Sequence, residues 1–191
     1  MASKKDIVAL PHEHLRTRSK KVGLVSDTVK QLIADMEAAT LDWEDSRKHE
    51  VGVALAAIQV DKALRVVVIR NNFNDKSDRK FHAFINPKIT KLEGKLEEDY
   101  EGCLSVKDIY GKVPRYQKVR VSALDENGRA IRVTAEGFLA RVFQHEIDHT
   151  NGIMFIDHIK DKKDAFFRLK EDGQLEKLDY DQDIKHSRLL W

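Results

Sequence analysis

The chain of 191 residues holds a single cysteine, Cys103, so no disulfide can form within it. That excludes the disulfide-stapled scaffolds and fits a reducing compartment. No apolar run approaches the roughly 20 residues that a membrane-crossing helix needs. A surplus of one charge sign is missing too: 34 basic and 32 acidic residues leave a formal net charge of +2. So small an excess gives no electrostatic case for nucleic acid as the main ligand. The opening stretch Met1 to Leu10, MASKKDIVAL, lacks the apolar centre of a secretory signal and the Arg-rich, acid-poor pattern of an organelle transit segment. The expected location is therefore the cytoplasm, away from any membrane. Internal repeats and low-complexity linkers are absent as well. What remains is a water-facing composition, 41% apolar and 35% charged, in a chain long enough for one domain with its own core.

Periodicity gives the coarse elements. Ser26 or Asp27 is placed to cap a helix in which Val29, Leu32, Ile33 and Met36 recur at helical spacing. Asp42 to Glu50, DWEDSRKHE, is charged and aperiodic and predicts a solvated loop. Leu64 to Arg70, rich in β-branched residues, predicts a buried strand. Phe81 to Ile85 predicts a second, stopped by Asn86-Pro87. Lys118 to Leu124 and Ala130 to Ala135 flank Asp125-Glu126-Asn127-Gly128 and predict an antiparallel hairpin. Gly137 to Thr150 predicts a helix with Leu139, Val142, Phe143 and Ile147 near one face and Gly152 at its end. Strands followed by a helix lying against them predict an α+β domain.

The sharpest local signal is His145-Glu146-Ile147-Asp148-His149. Histidines at i and i+4 stand one turn apart on one helix face, so both imidazoles reach one cation. Glu146 points about 100° further round and reaches a water beside that cation without occupying a ligand position. This is the HExxH arrangement of two ligands and a base. The third ligand stays open on these residues alone. Asp157, His158 and Glu171 lie downstream, and Cys103 lies upstream in Glu101-Gly102-Cys103-Leu104-Ser105, where a thiolate would suit Zn(II) or Fe(II). Asp148 reads as a structural hydrogen-bonding residue.

Three ordered segments resemble motifs of the peptide deformylase family: Gly52 to Gln59 (GVALAAIQ), Glu101 to Ser105 (EGCLS) and Gln144 to His149 (QHEIDH). The resemblance runs from about Ile7 to about Ile159. It implies an α+β fold, antiparallel β-sheets packed around a central helix that carries HExxH. It implies a catalytic domain over residues 1–160; after Phe155 the chain turns polar and helix-compatible, so 161–191 are expected as a polar helical tail of the same domain. It implies one divalent cation, Fe(II) natively with Ni(II), Co(II) or Zn(II) as substitutes, held by Cys103, His145 and His149. The implied reaction removes the N-formyl group from the terminal methionine of new polypeptides and releases formate. A water acidified by the cation is the nucleophile. Glu146 is the general acid/base, and the Gln59 amide and Leu104 N–H stabilise the oxyanion. Gly52, Val53, Ala54 and Phe138 are implied to bind substrate, and Glu101 with Arg115 to brace the ligands. Ala54 departs from the family, which carries a second glycine there, and a mild effect is expected. The end Lys185 to Trp191, KHSRLLW, is a candidate for docking on the ribosome near the nascent-chain exit, set against packing on its own domain. Two rival readings are an HExxH metalloprotease with a downstream third ligand and a non-enzymatic relative that binds peptide N-termini.

Overall fold

A computed structural model describes residues 2–187 and 189. In chain order its main elements are α1 (Asp27–Asp45), β1 (Ala54–Ala56), β2 (Val66–Arg70), β3 (Phe81–Cys103), β4 (Val106–Leu124), β5 (Ala130–Glu136), α2 (Gly137–Thr150), β6 (Phe166–Leu169) and β7 (Leu175–Lys177). Every position of β2 is buried, as a strand covered on both faces requires. Side chains alternate along a strand, and the alternation sorts the core. Val67 and Ile69 pack with Ala140, Val142, Phe143 and Ile147 of α2. Val66 and Val68 pack with Val29, Ile33 and Met36 of α1. The two helices therefore cover opposite faces of β2. A third cluster joins Leu15, Val106, Ile109 and Val113 to Met154, Phe155 and Phe166.

All strand pairings are antiparallel, in the order β1-β2-β3-β4-β6-β7 with β5 also on β4. The α+β expectation is met, with one sheet where several were expected. One ladder suffices because β4 hands its second edge from β6 at Ile109–Gly111 to β5 at Lys118–Leu124. Ten of the 14 residues of α2 are buried, too many for a helix with one wet side. Its end is fixed as expected: Gly152 N donates to His149 O and Ile153 N to Asp148 O, with Gly152 at φ +76°.

Three expectations need correction. The loop predicted from Asp42 is helical as far as Asp45, because Glu44 is buried against Arg70 and its Oε2 also accepts from Gly52 N at 2.8 Å. Asn86-Pro87 does not stop the second strand. Asn86 takes φ +54° at a break in the β3–β4 register, and its amide binds both Val22 N and Val22 O at 2.8 Å, so β3 continues to Cys103. The tail is not a helix: β6 and β7 form a hairpin on β4, followed by a single helical turn at Tyr180–Ile184. Pairing with the free edge of β4 and burial of Phe166, Leu178 and Ile184 in the third cluster override its polar, helix-compatible composition. Of the end weighed between ribosome docking and packing on its own domain, Arg188, Leu190 and Trp191 lie outside the described residues.

A Cβ on Gly152 would lie 2.4 Å from the Arg16 carbonyl oxygen, and its positive φ disfavours any side chain. Gly152→Ala should cost at least about 2 kcal/mol in urea unfolding. A loss below about 0.5 kcal/mol would contradict this account of the helix end.

Candidate metal centre and cleft

The β3–β4 hairpin ends in the two-residue link Leu104-Ser105, which delivers Cys103 at the last position of β3. Its Sγ lies 3.4 Å from His149 Nε2, and His149 Nε2 lies 3.1 Å from His145 Nε2. Donor atoms from these three residues all fall within 4.8 Å of one another. With metal–N of about 2.0–2.1 Å and metal–S of about 2.3 Å, tetrahedral ligand atoms sit about 3.3 Å (N to N) and about 3.5 Å (S to N) apart. The observed spacings fit a cation held between them. Two nitrogens and one thiolate also leave a position for water or substrate, which a catalytic site needs and a closed structural site does not.

The other faces of the histidines explain their aim. His145 Nδ1 donates to Glu101 Oε2 at 2.9 Å, which turns Nε2 towards Cys103. Glu101 is held by Arg115, with Nε to Oε1 at 2.9 Å and Nη2 to Oε2 at 3.1 Å, and by Arg141 Nη1 to Oε1 at 2.8 Å. Arg115 Nη1 also donates to Asp148 Oδ2 at 2.5 Å, and His158 Nε2 meets the same oxygen at 2.7 Å. The structural bond expected of Asp148 is therefore this one. The downstream ligand candidates are engaged elsewhere or lie apart. Asp157 accepts from Met154 N at 2.7 Å and pairs with Arg16, His158 is on Asp148, and Glu171 is exposed in the β6–β7 turn.

Burial and charge set the proton affinities. Burial opposes a charge on His145, but its contacts with Cys103 and Glu101 outweigh that and raise its pKa. Burial, reinforced by the positive charge on His145, lowers that of His149. Burial favours a protonated Glu101, yet hydrogen bonds from His145 and Arg115 hold it far below the ordinary carboxylate range. Glu146 is pushed up to about 7, chiefly by burial. Its Oε2 and His149 Nδ1 are buried with no hydrogen-bond partner among the described residues.

A cavity of about 200 Å³ opens beside this cluster. Gln59, Cys103, Leu104, His145 and Glu146 line it together with Val53, Ala54 and Phe138. Gln59, 1% exposed, sits in the short 3-10 turn Ala57–Val60. Its Oε1 accepts from Ala56 N at 2.9 Å, and its Nε2 donates to Ser105 Oγ at 3.0 Å while lying 3.5 Å from Cys103 Sγ. Ala54 is buried in β1, its methyl packed in the α2-side core. Gly52 is not brought into the cleft. A Cβ there would lie 2.7 Å from Thr40 Cγ2 and 2.9 Å from Thr40 O, so glycine serves the contact with α1.

Some participants have roles that the sequence did not announce, even where they stand in a motif. Ser105 orients Gln59, and Arg141 completes the grip on Glu101. Trp43, Tyr110 and Glu50 form a further wall, with Tyr110 Oη donating to Glu50 Oε1 at 2.9 Å. Gln144 aligns α2 with β4 by accepting from Tyr116 N at 3.1 Å and donating to Tyr116 O at 2.9 Å. A strong hydrogen-bonding type inside a buried helix was the available hint for Arg141.

The polypeptide deformylase family profile matches residues 4–165. The chain is 41% identical over 164 residues to a peptide deformylase of Psychrobacter cryohalolentis, covering 86% of this chain and 84% of that one. It is 40% identical over 169 residues to that of Pseudomonas aeruginosa, covering 88% and 95%. The crystal structure of a peptide deformylase from Legionella pneumophila superposes with a TM-score of 0.71 at 39% identity, covering 83% and 86%.

Arg115→Ala would leave Glu101 and Asp148 short of their shared cation. Breaking a buried pair in this way costs roughly 3–5 kcal/mol, read by urea unfolding of metal-free protein. A loss under about 1 kcal/mol would show that the pair does not brace the site.

Proposed function

The chain belongs to the peptide deformylase family, and on that premise we propose that it removes the N-formyl group from the terminal methionine of newly made polypeptides. The observation that carries the reading is the convergence of Cys103, His145 and His149 beside a buried Glu146 oxygen that has no hydrogen-bond partner among the described residues, with Gln59, Cys103, His145 and Glu146 lining one cleft. Cys103, His145 and His149 would hold one divalent cation, Fe(II) natively, with Ni(II), Co(II) or Zn(II) able to substitute. When bound, the cation supplies Lewis acidity that makes a water nucleophilic near neutral pH.

The protein's own groups do the rest. Glu146 takes the proton of the attacking water and gives it to the departing amine nitrogen. Burial raises its proton affinity, which suits a group that must both accept and return a proton. The formyl carbon gains the water oxygen, its bond to nitrogen breaks, and formate and a free amino terminus result. Gln59 Nε2 donates to Ser105 Oγ and lies 3.5 Å from Cys103 Sγ, and its second hydrogen passes from that weak sulfur contact to the developing oxyanion. The Leu104 N–H is the second donor, and each such donor contributes roughly 3 kcal/mol to the transition state. Val53 and Phe138 wall the pocket for the methionine side chain, and Ala54 lines it beside them.

Residues 1–160 form the catalytic unit, and 161–191 belong to the same domain, since Phe166, Leu178 and Ile184 complete one of its core clusters. The work lies in the cytoplasm, where formyl-methionyl chains emerge, with the ribosome near its exit as partner. No helix among the described residues is long and apolar enough to cross a membrane.

Protein loaded with Ni(II), or with Fe(II) without oxygen, should release formate from a formyl-Met peptide and leave acetyl-Met peptide untouched. Glu146→Ala should abolish release while metal content stays unchanged. Fully loaded wild type that releases no formate would point instead to a binding-only relative. Gln59→Ala should lower turnover at least about tenfold, ~1.4 kcal/mol, again with metal retained. Undiminished turnover would remove Gln59 from the oxyanion role.

A further inference from the structure

Two residues beyond Gln59 the chain builds a second cluster of donor atoms. Asp61 follows the turn that carries Gln59, and His12 and His14 flank Glu13 at the start of the short helix Glu13–Arg16. One donor atom from each of His12, His14 and Asp61 lies within 4.8 Å of the other two. His14 Nδ1 contacts Asp61 Oδ1 directly. The imidazoles of His12 and His14 meet edge to face, with centroids 5.1 Å apart at 76°.

A surface ion pair accounts for His14 and Asp61 but leaves His12 unexplained. His12 Nδ1 is buried, and among the described residues it has no hydrogen-bond partner. A buried ring nitrogen without a partner destabilises the folded chain unless something outside the chain meets it. The backbones that present the three side chains are pinned. Leu15 is fully buried, Leu15 N donates to His12 O at 3.2 Å, and Thr17 N donates to His14 O at 2.8 Å. Asp61 N donates to Ile58 O at 3.1 Å. The donors therefore need little rearrangement to converge on one ion.

We propose that His12, His14 and Asp61 form a second divalent-cation site, separate from the Cys103 cluster. Two imidazoles and one carboxylate suit Zn(II), Ni(II), Co(II) or Cu(II), whereas Mg(II) and Ca(II) favour all-oxygen shells. The side chains of His14 and Asp61 are 52% and 47% exposed, so the ion enters from solvent and completes its coordination with water. Its effect follows from what the N-terminal segment touches. Val8 N donates to Gln59 O at 2.8 Å, and Leu10 N donates to Ser105 O at 2.9 Å. An ion joining residues 12 and 14 to residue 61 clips that segment onto the backbone behind Gln59 and Ser105. The site adds stability by mass action and takes no part in bond breaking.

The test is equilibrium dialysis of the holoprotein against Zn(II), with bound metal counted by mass spectrometry and thermal unfolding read in parallel. Wild type should take up a second equivalent and gain Tm with zinc. His14→Ala and Asp61→Asn should lose that equivalent and the gain, while Glu13→Gln keeps both. Cys103→Ser should lose the other equivalent and retain this one, so the proposal stands or falls apart from the deformylase reading. Uptake of a single equivalent by wild type, or a second equivalent that persists in both His14→Ala and Asp61→Asn, would overturn it.

Discussion

One buried carboxylate fixes the geometry of the whole cleft. Glu101 comes from β3, Arg115 from β4, and Arg141 and His145 from α2, so a single side chain ties the hairpin to the helix that crosses it. A buried ionised group survives only if its partners are complete, and here three cations or donors share two oxygens. Arg141 Nη1 also reaches Val113 O at 2.7 Å and its Nη2 reaches Glu97 O at 2.7 Å, so the same guanidinium stitches the two long strands. Electrostatics and position are thereby one problem. The ionised Glu101 sets which nitrogen of His145 faces Cys103, and the arginines that keep it ionised also set where β3 ends over α2.

What the sequence made legible was whatever repeats at short range. The apolar spacing of α2, its closing Gly152 and the i, i+4 histidines are local features, and the structure has them where the pattern puts them. The β4–β5 hairpin was legible for the same reason, through its turn residues. Elements that depend on distant partners were not. The last turn of α1 looks like charged loop until Arg70, 26 residues away, is seen to neutralise Glu44. The middle of β3 is exposed and charged, so it shows no alternation, and β4 alone holds it in the ladder. β6 and β7 have a polar composition and become strands because the edge of β4 is free to receive them.

The cleft divided along the same line. Cys103, His145, Glu146 and Gln59 stand in compact motifs, and the structure brings all four to one cavity. Gly52 belongs to a motif too, yet its lack of a side chain answers to Thr40 and α1. A motif marks positions that must not change without saying which neighbour forbids it. Ser105 is a second such case, its motif silent on the amide it steers, and Arg141 shows the converse, since a guanidinium that shares a carboxylate has no spacing rule to announce it.

The unbroken pairing of Leu96–Gly102 with Tyr110–Tyr116 has a consequence for how such a chain can vary. Because side chains alternate, one residue gained or lost in that stretch would turn Glu101 to the opposite face of the pleat. The register breaks nearer the base of the hairpin, between Ile85 and Lys88, Ile89 and Lys91, and Glu93 and Leu96, already contain irregular steps. Insertions and deletions should therefore accumulate there among descendants of this sequence, while the outer stretch keeps a constant length and serves as a ruler from the sheet to Glu101, one register break short of Cys103.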